Sequence, residues 1–577
     1  MRRALGDSTR PRHGRRRRNK RREVPELDQR ERPVTVRTSY AAALILVAVV
    51  AVPAILLFVF APLCDPDVGW HLAFGRYIAE HGEVPTRDVL RFTPQEYPLH
   101  LHGWLSQLLF HLLNRVGGLH AFRVGTALVM LAALGVLGLL AYRATGSIHL
   151  ALIAALLFLL TSFPVFHPRA RIFTILFFPV AFERFALRRE GLAYRELVWV
   201  FLGAVLWTNL HTEAIILPML IGVVMVEDLF RRAPRSRLVS VAVSFVLSGL
   251  ALFVSPYGSS WIADVSRNYQ INEKWSDEWH SLFWLAKNRF LYARSSAEAQ
   301  PMETYLMGVP YLLPLAIAIV AACVLAFILR PRDGQHRPGI LVTLWAVYSA
   351  FNMVRFAWLL FIPTLVVLST VAAWARSREW RNAERSWLRV AGFATVIGLS
   401  WITFRPVIRP DLWRRFDDEG WDANAFPTSA GAFVLAAGMR GNVLPGSNWG
   451  GYLTYVLPDS RVFMHGHWAE APKTFEDYMA IVFWRNDMEQ LLDRYDVTVL
   501  LVPSVWERRL RSAQWVRVFG NLESAVFVRT NDAAALAACA GYYARVGVPF
   551  SPSQGFDPKV AISAAPGWAR EFRLIPR

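Results

Sequence analysis

The feature that most constrains this chain is a succession of long apolar runs. Many of them hold roughly 18 or more apolar residues, enough for a helix to cross a hydrocarbon core of ~30 Å. The composition agrees, since 54% of the 577 residues are hydrophobic and 19% are charged, whereas a soluble domain carries about 25% charge. The sequence therefore predicts a polytopic α-helical membrane protein.

The lengths of the apolar runs predict eleven membrane-spanning helices, and the arginine distribution supports an odd number. With a cytoplasmic N-terminus, alternation puts the short Arg-containing connections inside, as the positive-inside rule requires. Residues 63–118, 257–305 and 405–577 then lie outside. The shortest runs, 196–211 and 339–352, also suit broken or re-entrant helices. The predicted spans are 40–62, 119–142, 147–163, 170–187, 196–211, 213–230, 238–256, 306–329, 339–352, 354–375 and 388–404.

The positive charge of the chain is concentrated at its start. The formal net charge is +19, and residues 1–37 hold 14 Lys/Arg and 5 Asp/Glu, which gives 14 − 5 = +9. We interpret residues 1–38 as a basic cytoplasmic tail that anchors the inner side of the membrane. The charge therefore does not indicate nucleic-acid binding. Together with the apolar runs, it leads us to expect a multi-pass protein of the cell (inner or plasma) membrane.

Three segments follow from this pattern: the basic tail 1–38, a transmembrane domain 39–404, and an extracytoplasmic α/β domain 405–577. The last segment contains no spanning run and alternates strand and helix patterns. The three cysteines match no metal motif and no disulfide framework, and a pairing of Cys64 with Cys539 stays open. Predicted strands are Asp496–Pro503, Arg461–Met464 and Ser524–Arg529; predicted helices are Ser429–Met439, Thr474–Trp484 and Asp487–Tyr495.

The first outer loop, 63–118, begins with two carboxylates, Asp65 and Asp67, where the chain leaves the predicted bilayer. A sugar transfer needs a general base for the acceptor hydroxyl, or a carboxylate that positions a metal. The alternatives are solvated acids at a membrane boundary, or an N-cap for a helix that begins near Trp70. Apolar spacing predicts helices over His71–Glu80 and over the amphipathic stretch His102–Val116.

The residues around these acids form a pattern that extends to the tail. In the loop it consists of Asp65-Pro66-Asp67, Trp70-His71-Leu72, Gly75, Ile78, Gly82, Val84-Pro85, Asp88, Phe92-Thr93 and Gly103-Trp104-Leu105. In the tail it consists of Gly441-Asn442-Val443, Trp449-Gly450-Gly451-Tyr452-Leu453, Pro458 and Arg461-Val462-Phe463. Both sets resemble bacterial GT-C-type membrane glycosyltransferases, in a branch distantly related to the protein mannosyltransferase and aminoarabinose transferase families.

The resemblance implies a GT-C-like fold and an inverting sugar transfer on the outer face. The donor would be a polyprenyl-phosphate-linked sugar, and the acceptor a glycan, a lipid or a protein. An acid of the first external loop would be the base: Asp67 first, Asp65 second, with Asp88 at a recurrent acidic position. Related tails often read Asp-Gly-Arg after the Val-Phe strand, whereas this chain has Met464-His465-Gly466-His467, which puts an acidic role of the tail in doubt.

Other polar residues at predicted outer ends form a second set of candidates. Arginine suits a lipid phosphate because its planar fork donates two hydrogen bonds, so we assign Arg171 and Arg355 to that phosphate, with snorkelling to the interface as the alternative. Ionisable residues at membrane depth are costly and often functional. The remaining substrate-binding candidates are His71, Asn209, His211, Glu213, Glu278 and Trp279.

Two tail motifs have both a functional and a structural interpretation. His465 and His467 have metal-capable spacing, but no third ligand is identifiable, so surface histidines are the favoured interpretation. The segment Trp449-Gly450-Gly451-Tyr452 could stack on a sugar, although a tight turn packed by its own aromatics is favoured. No Walker loop, Rossmann fingerprint, HExxH or paired CxxC motif is present, and the need for a divalent metal stays open.

Other functions compete with glycosyl transfer. A transporter or flippase of lipid-linked glycans would need internal repeats and polar residues near the middle of the membrane, and neither is clear in the sequence. A non-enzymatic envelope assembly protein would use the tail to recruit partners. An O-antigen ligase or polymerase would share the same loop argument.

Overall fold

Helices occupy each predicted span wherever the structure describes it. The computed structural model describes residues 44–45, 47–60, 62–162, 167–295, 309–329, 338–377, 382–404, 420–423, 425–446, 448–485, 487–508, 510 and 513–575. Residues 46–577 form one unit and residues 1–45 another, of which only Leu44 and Ile45 are described. The predicted basic tail, the Arg-rich connection 330–337 and residues 405–419 lie outside the described residues.

Among the described residues, four helices are long and apolar enough to cross a membrane by length and composition: Trp104–Thr145, Tyr311–Ile328, Val354–Ser377 and Ser386–Phe404. The eleven spans and their orientation stay predictions. The helices of this region are α1 Val47–Phe60, α2 Asp67–His81, α3 Trp104–Thr145, α4 Ile148–Ser162, α5 Arg171–Phe182, α6 Tyr194–Leu210, α7 Ile216–Phe230, α8 Arg235–Ala251, α9 Ser260–Trp275, α10 Leu282–Ser295, α11 Val309–Ile328, α12 Ile340–Asn352, α13 Phe361–Ser377 and α14 Asn382–Phe404.

The two shortest apolar runs end in similar interruptions. After α6 the backbone becomes extended at His211 (φ −161°, ψ 138°), and after α12 it becomes extended at Met353 (φ −140°, ψ 126°). A 3₁₀ turn follows each residue before α7 and before the helix α13. Glu213 lies on the first turn and Arg355 on the second. The interruptions therefore place opposite charges where a continuous helix would be apolar.

The first outer loop folds against the start of α3. Helix α2 begins four residues earlier than expected and ends at Gly82, whose left-handed φ of 69° suits glycine. Helix α3 is interrupted at Gly117 and Gly118, so the predicted amphipathic helix and the following span are two parts of one element. A Cβ on Gly75 would lie 2.1 Å from the carbonyl oxygen of Gln107, so this glycine permits the close packing of α2 on α3.

The tail domain is built on a mixed five-stranded sheet in the order β2-β1-β3-β5-β4. Strands β1 and β3, and β1 and β2, are parallel, whereas β5 pairs antiparallel with β3 and β4. The three predicted strands are confirmed, and two others, β1 and β4, were missed. The elements are α15 Thr428–Ala436, β1 Asn442–Pro445, α16 Gly450–Val456, β2 Arg461–Val462, α17 Pro472–Val482, α18 Met488–Arg494, β3 Val499–Pro503, β4 Trp515–Gly520, β5 Ser524–Arg529, α19 Ala533–Val546, α20 Pro558–Ala564 and α21 Pro566–Glu571.

The tail domain and the first outer loop are joined by backbone contacts. Val462 in the edge strand β2 donates to the carbonyl oxygen of Leu90 (3.0 Å) and accepts from Phe92 N–H (3.2 Å). A Cβ on Gly69 of α2 would lie 2.1 Å from the carbonyl oxygen of Gly451 in α16. One buried apolar cluster accordingly runs from the membrane helices into the tail. The loop is therefore held as an extension of the tail sheet.

Cys64 and Cys539 do not form a disulfide. Both are free thiols: Cys64 is exposed, whereas Cys539 is buried and its Sγ lies 3.4 Å from Met439 Sδ. The pairing left open by the sequence is wrong.

Candidate active site

A cavity of about 730 Å³ lies where α2, the helix ends of the membrane region and the tail domain meet. This volume suits a small-molecule substrate. Eight of the eleven site residues proposed from the sequence line the cavity: Asp65, Asp67, His71, Arg171, His211, Glu278, Trp279 and Arg355. Further lining residues are His102, His167, Arg169, Asp422, Asn448, Trp449, Gly450, Gly451, His465, Gly466 and His467.

Asp67 is the first residue of α2, and its carboxylate faces this cavity. Oδ1 accepts from Trp70 Nε1 (3.0 Å), and Oδ2 lies 3.0 Å from Arg169 Nη1. The side chain keeps 21% of its surface exposed. Burial raises the pKa of the Asp67 carboxyl, and the charge of Asp65 adds to this, against the lowering effect of Arg169. The carboxylate is thus fixed in position and more basic than a surface aspartate.

Asp65 lies one residue before Pro66, the N-cap of α2, and both of its carboxylate oxygens have partners. Its Oδ1 accepts from the backbone N–H of Asp67 (2.9 Å) at the start of α2, and its Oδ2 accepts from Arg169 Nε. Its side chain is 1% exposed. Asp65 therefore orders the turn before α2 and anchors Arg169, while Asp67 presents the more accessible carboxylate.

Arg169 joins three carboxylates that are far apart in the sequence. Besides Asp65 and Asp67, its Nη1 lies 3.2 Å from Glu278 Oε1. Burial by itself would raise the pKa of Glu278, but Arg169, Arg171 and Arg355 lower it to about 2. Glu278 is therefore a carboxylate at neutral pH. The sequence did not single out Arg169, because its partners are distant in the chain and cannot be recognised from spacing.

The two predicted phosphate ligands, Arg171 and Arg355, meet at one carboxylate. Arg171 Nε donates to Glu213 Oε1 (3.1 Å), and Arg355 donates to the same oxygen through Nε (3.1 Å) and Nη2 (2.7 Å). Arg171 Nη2 also reaches Glu278 Oε2 (3.2 Å). The Arg355 guanidinium lies 4.0 Å from the centre of the Trp279 ring, a cation–π contact. Both guanidiniums line the cavity, and Glu213 lies behind them.

The Asn209, His211 and Glu213 stretch is split by the interruption after α6. His211 lines the cavity, and its Nδ1 lies 2.9 Å from Thr174 Oγ1. Asn209 is outside the lining: its amide donates to Val205 and Val254 carbonyls (2.8 Å each), and its Oδ1 accepts from Trp104 Nε1 (2.8 Å). Of these three substrate-binding candidates only His211 lines the cavity, because Asn209 lies inside α6 and Glu213 lies behind the two arginines.

His71 lies on α2 between Asp67 and the α3 packing surface. Its Nδ1 lies 3.3 Å from Gln107 Nε2, and its ring centre is 3.8 Å from that of Trp70. Burial, with the charge of Arg169, lowers the pKa of His71 well below its usual range. His71 is therefore a neutral imidazole in the cavity wall.

Asp88 is separated from Asp67 and lies outside the cavity lining. Its Oδ2 accepts from His465 Nε2 (2.7 Å) and pairs with Arg91 Nε (3.2 Å), and its side chain is 1% exposed. Burial alone would raise the pKa of Asp88, but His465 and Arg91 together lower it. The geometry gives this acid a position beneath the tail rather than beside the other two aspartates.

The two tail histidines are not surface residues. His465 is fully buried against Asp88, and His467 is 13% exposed and donates through Nδ1 to Glu470 Oε2 (2.6 Å). The favoured surface interpretation is therefore wrong, because the tail folds over the first outer loop and gives each imidazole a carboxylate. In the described ranges, no group of three His, Cys, Asp or Glu is arranged to hold a metal ion.

The glycines of Trp449-Gly450-Gly451-Tyr452 permit backbone contacts rather than an open sugar platform. A Cβ on Gly451 would lie 2.2 Å from the carbonyl oxygen of Pro66, and one on Gly450 would lie 2.0 Å from that of Met464. Trp449 is buried and donates through Nε1 to the Ala425 carbonyl (3.0 Å). The motif therefore docks the tail onto the start of α2.

Comparison with solved structures shows what this architecture is similar to. The oligosaccharyltransferase of Archaeoglobus fulgidus in its apo form superimposes with a TM-score of 0.51 at 14% identity, over 83% of this chain and 70% of that one. The chain has the GT-C fold. The predicted fold is thereby confirmed at the level of architecture, a helical membrane region followed by a C-terminal domain.

Two other solved structures are similar but weaker matches. ArnT from Cupriavidus metallidurans bound to undecaprenyl phosphate has a TM-score of 0.49 at 14% identity, over 86% of this chain and 99% of that one. Oligosaccharyltransferase AglB from Archaeoglobus fulgidus, in complex with an inhibitory peptide and a dolichol-phosphate, has a TM-score of 0.49 at 14% identity, over 82% and 69%. No protein-family model and no curated protein matches the sequence.

Proposed function

We propose that this protein is a membrane glycosyltransferase of the inverting type. It would take a sugar from a polyprenyl-phosphate carrier and transfer it, on the outer face of the cell membrane, to a hydroxyl of a glycan, lipid or protein acceptor. The proposal is supported by the GT-C fold shared with an oligosaccharyltransferase and by the chemistry of the cavity.

The observation that carries the proposal is the placement of Asp67. A carboxylate with one accessible side lines a cavity of about 730 Å³, while Trp70 and Arg169 hold its two oxygens. A general base works best when its pKa is close to the working pH, and burial raises the pKa of Asp67 in that direction. Asp67 would take the proton of the acceptor hydroxyl as the oxygen forms its bond to the anomeric carbon.

The arginines would act on the leaving group. The bond from the anomeric carbon to the carrier phosphate breaks on the face opposite the attacking oxygen, and negative charge develops on that phosphate. Arg171 and Arg355 line the cavity and are held by Glu213 behind them, so their charges are in place before the reaction starts. Fixed donors of this kind are where transition-state stabilisation is largest.

Arg169, Asp65 and Asp88 would position this machinery. The Arg169 guanidinium already occupies the space between Asp65, Asp67 and Glu278. No metal-binding group is found among the described residues, so the mechanism assigns no step to a metal. Asp88 would act through His465, which orients the tail segment that covers Asp67.

The test replaces Asp67 with asparagine, which keeps the shape and removes the base. In a strain lacking the gene, wild-type protein should restore an envelope glycan detected by mass spectrometry, and Asp67→Asn should not. Asp459→Asn, at an exposed tail position, is the matched control and should restore it fully. Equal membrane levels and a single gel-filtration peak for both variants are required, and a normal glycan with Asp67→Asn would refute the assignment.

A further inference from the structure

Tail residues 464–469 form one continuous part of the cavity wall. Within this segment the His467 side chain remains 13% exposed. The mechanism above assigns it no role. It differs from His465, whose side chain is fully buried, because its ring reaches the cavity surface.

The orientation of the His467 ring is fixed from behind. Nδ1 donates to Glu470 Oε2 (2.6 Å), and Glu470 is itself fully buried with Arg91 Nη1 3.2 Å from its other oxygen. The carboxylate therefore cannot turn away to solvent. Nε2 makes no hydrogen bond to any described residue, so it is the ring atom left for a ligand.

His467 is also a cation in this wall at neutral pH. Burial by itself would lower its pKa, but Glu470, Asp264 and Asp88 raise it to about 9. The neighbouring imidazoles of His71 and His102 have lowered pKa values, chiefly through burial, and add no positive charge. The titratable groups that face the ring are Glu470 and His465 from its own segment, His71, Asp88, Arg91 and His102 from the first outer loop, and Asp264 from α9.

The ring lies beside the proposed base. A Cβ on the preceding residue, Gly466, would lie 2.3 Å from Asp67 Oδ1. The His467 ring centre is 5.8 Å from that of Trp70, which donates to the same Oδ1. A group that accepts a hydrogen bond from His467 Nε2 is therefore close to the hydroxyl that Asp67 would deprotonate.

We propose that His467 recognises an anionic group, a carboxylate or a phosphate, that the acceptor carries near its nucleophilic hydroxyl. That the anion belongs to the acceptor rests on the proposed function, whereas the anion site itself rests on the geometry of His467. A hydrogen bond between an ionised donor and an ionised acceptor is about twice as strong as a neutral one. Acceptors without the negative group would bind more weakly.

The test measures anion binding to the full-length protein in detergent micelles. Thermal unfolding is followed at pH 7 with sodium phosphate or sodium acetate, against sodium chloride at equal ionic strength. We expect both anions to raise the Tm of the wild type above the chloride value. His467→Gln should lose at least half of that rise, since glutamine keeps a donor but not the charge. His81→Gln, at an exposed α2 position stacked on Tyr77, should keep all of it.

A second measurement needs no variant. The acetate-dependent rise of the wild type should fall by at least half between pH 7 and pH 10.5, because His467 loses its proton while the arginines stay charged. A rise that His467→Gln retains, or that does not change with pH, places the anion elsewhere and overturns the proposal. So does a wild type that responds only to ionic strength.

The anion-dependent rise in Tm does not depend on sugar transfer. Failure of the Asp67→Asn test would leave a His467-dependent anion site in place. Failure of the titration would leave Asp67 as the proposed base, so the two results are distinguishable.

Discussion

Two charged walls flank Asp67, and they hold their charges in different ways. The arginine wall consists of Arg169, Arg171 and Arg355 with Glu213 and Glu278. The histidine wall consists of His465 and His467 with Asp88, Arg91 and Glu470. The first connects interrupted membrane helices, and the second connects the first outer loop to the tail.

The two walls differ in how their charge depends on pH. A guanidinium stays ionised at any pH a protein tolerates, so the arginine wall presents a constant positive charge. An imidazole is ionised near neutrality only if its surroundings favour it, and Glu470 does this for His467. In the proposed reaction, a permanent charge would suit the carrier phosphate, which every donor would share. A charge that depends on one partner would suit recognition of a particular acceptor.

The largest effect is expected at Arg169, where the arginine wall meets Asp67. Arg169→Leu leaves the buried Asp65 carboxylate without its cation and removes one of the two arginines paired with Glu278. Removal of one partner from a buried pair costs about 3–5 kcal/mol. Transfer should fall by about 10³-fold, the scale seen when a fixed donor is removed. Glycan yield measures the loss of transfer, and Tm measures the loss of stability.

The control for Arg169 is Arg440→Leu, because Arg440 and its partner Asp459 are both exposed. Exposed ion pairs contribute about 0–1 kcal/mol, so this variant should match the wild type. Near-normal transfer by Arg169→Leu would show that the arginine wall does not position Asp67.

The second effect is a pH-dependent stability that belongs to the histidine wall. The pKa of His467 is about 9 in the folded protein, above the unfolded value of about 6.5. Its contribution is therefore complete below pH 6.5 and is lost as pH rises through 9; it amounts to at most about 3 kcal/mol. The difference in Tm between wild type and His467→Gln should shrink between pH 6 and pH 10. A constant difference would mean that the ring is not ionised.

The third effect tests whether the arginine wall needs the arginine fork or only a charge. Arg355→Lys keeps the charge but loses the two-atom contact with Glu213 and the contact over Trp279. The kcat for transfer from a polyprenyl-phosphate-linked donor should fall about tenfold, because the developing charge on the carrier phosphate loses part of its fixed donor set. A kcat equal to that of the wild type would mean that the charge alone is enough.

The smallest effect on transfer is expected at Asn209, which lies outside the cavity lining. Asn209→Ala removes the acceptor of Trp104 Nε1 and a donor to the Val254 carbonyl, which costs about 1–3 kcal/mol for unsatisfied buried groups. The Tm should fall, and turnover per folded molecule should stay within twofold of the wild type. A large loss of turnover would mean that Asn209 belongs to the cavity after all.

Much of the architecture was predictable because it depends on local sequence. Apolar run length located the helices, and the strand over Asp496–Pro503 was recognisable from its run of Val and Leu. The missed strands lack that pattern: β1 has four residues and ends at Pro445, and β4 contains Arg517 and a bulge before Phe519. Short or interrupted strands form only when neighbouring strands pair with them. The sequence periodicity of one segment does not reveal which strands will be its neighbours in the sheet.

The sequence by itself determined a helical membrane chain with an α/β tail and acids at the first exit from the apolar region. Only the tertiary structure decided which charges meet. Arg169 pairs with Asp65 across 104 residues, and His465 pairs with Asp88 across 377. Helix and strand patterns arise from neighbours a few residues apart. Ion pairs depend on distances that are set only when the membrane helices, the first outer loop and the tail pack together.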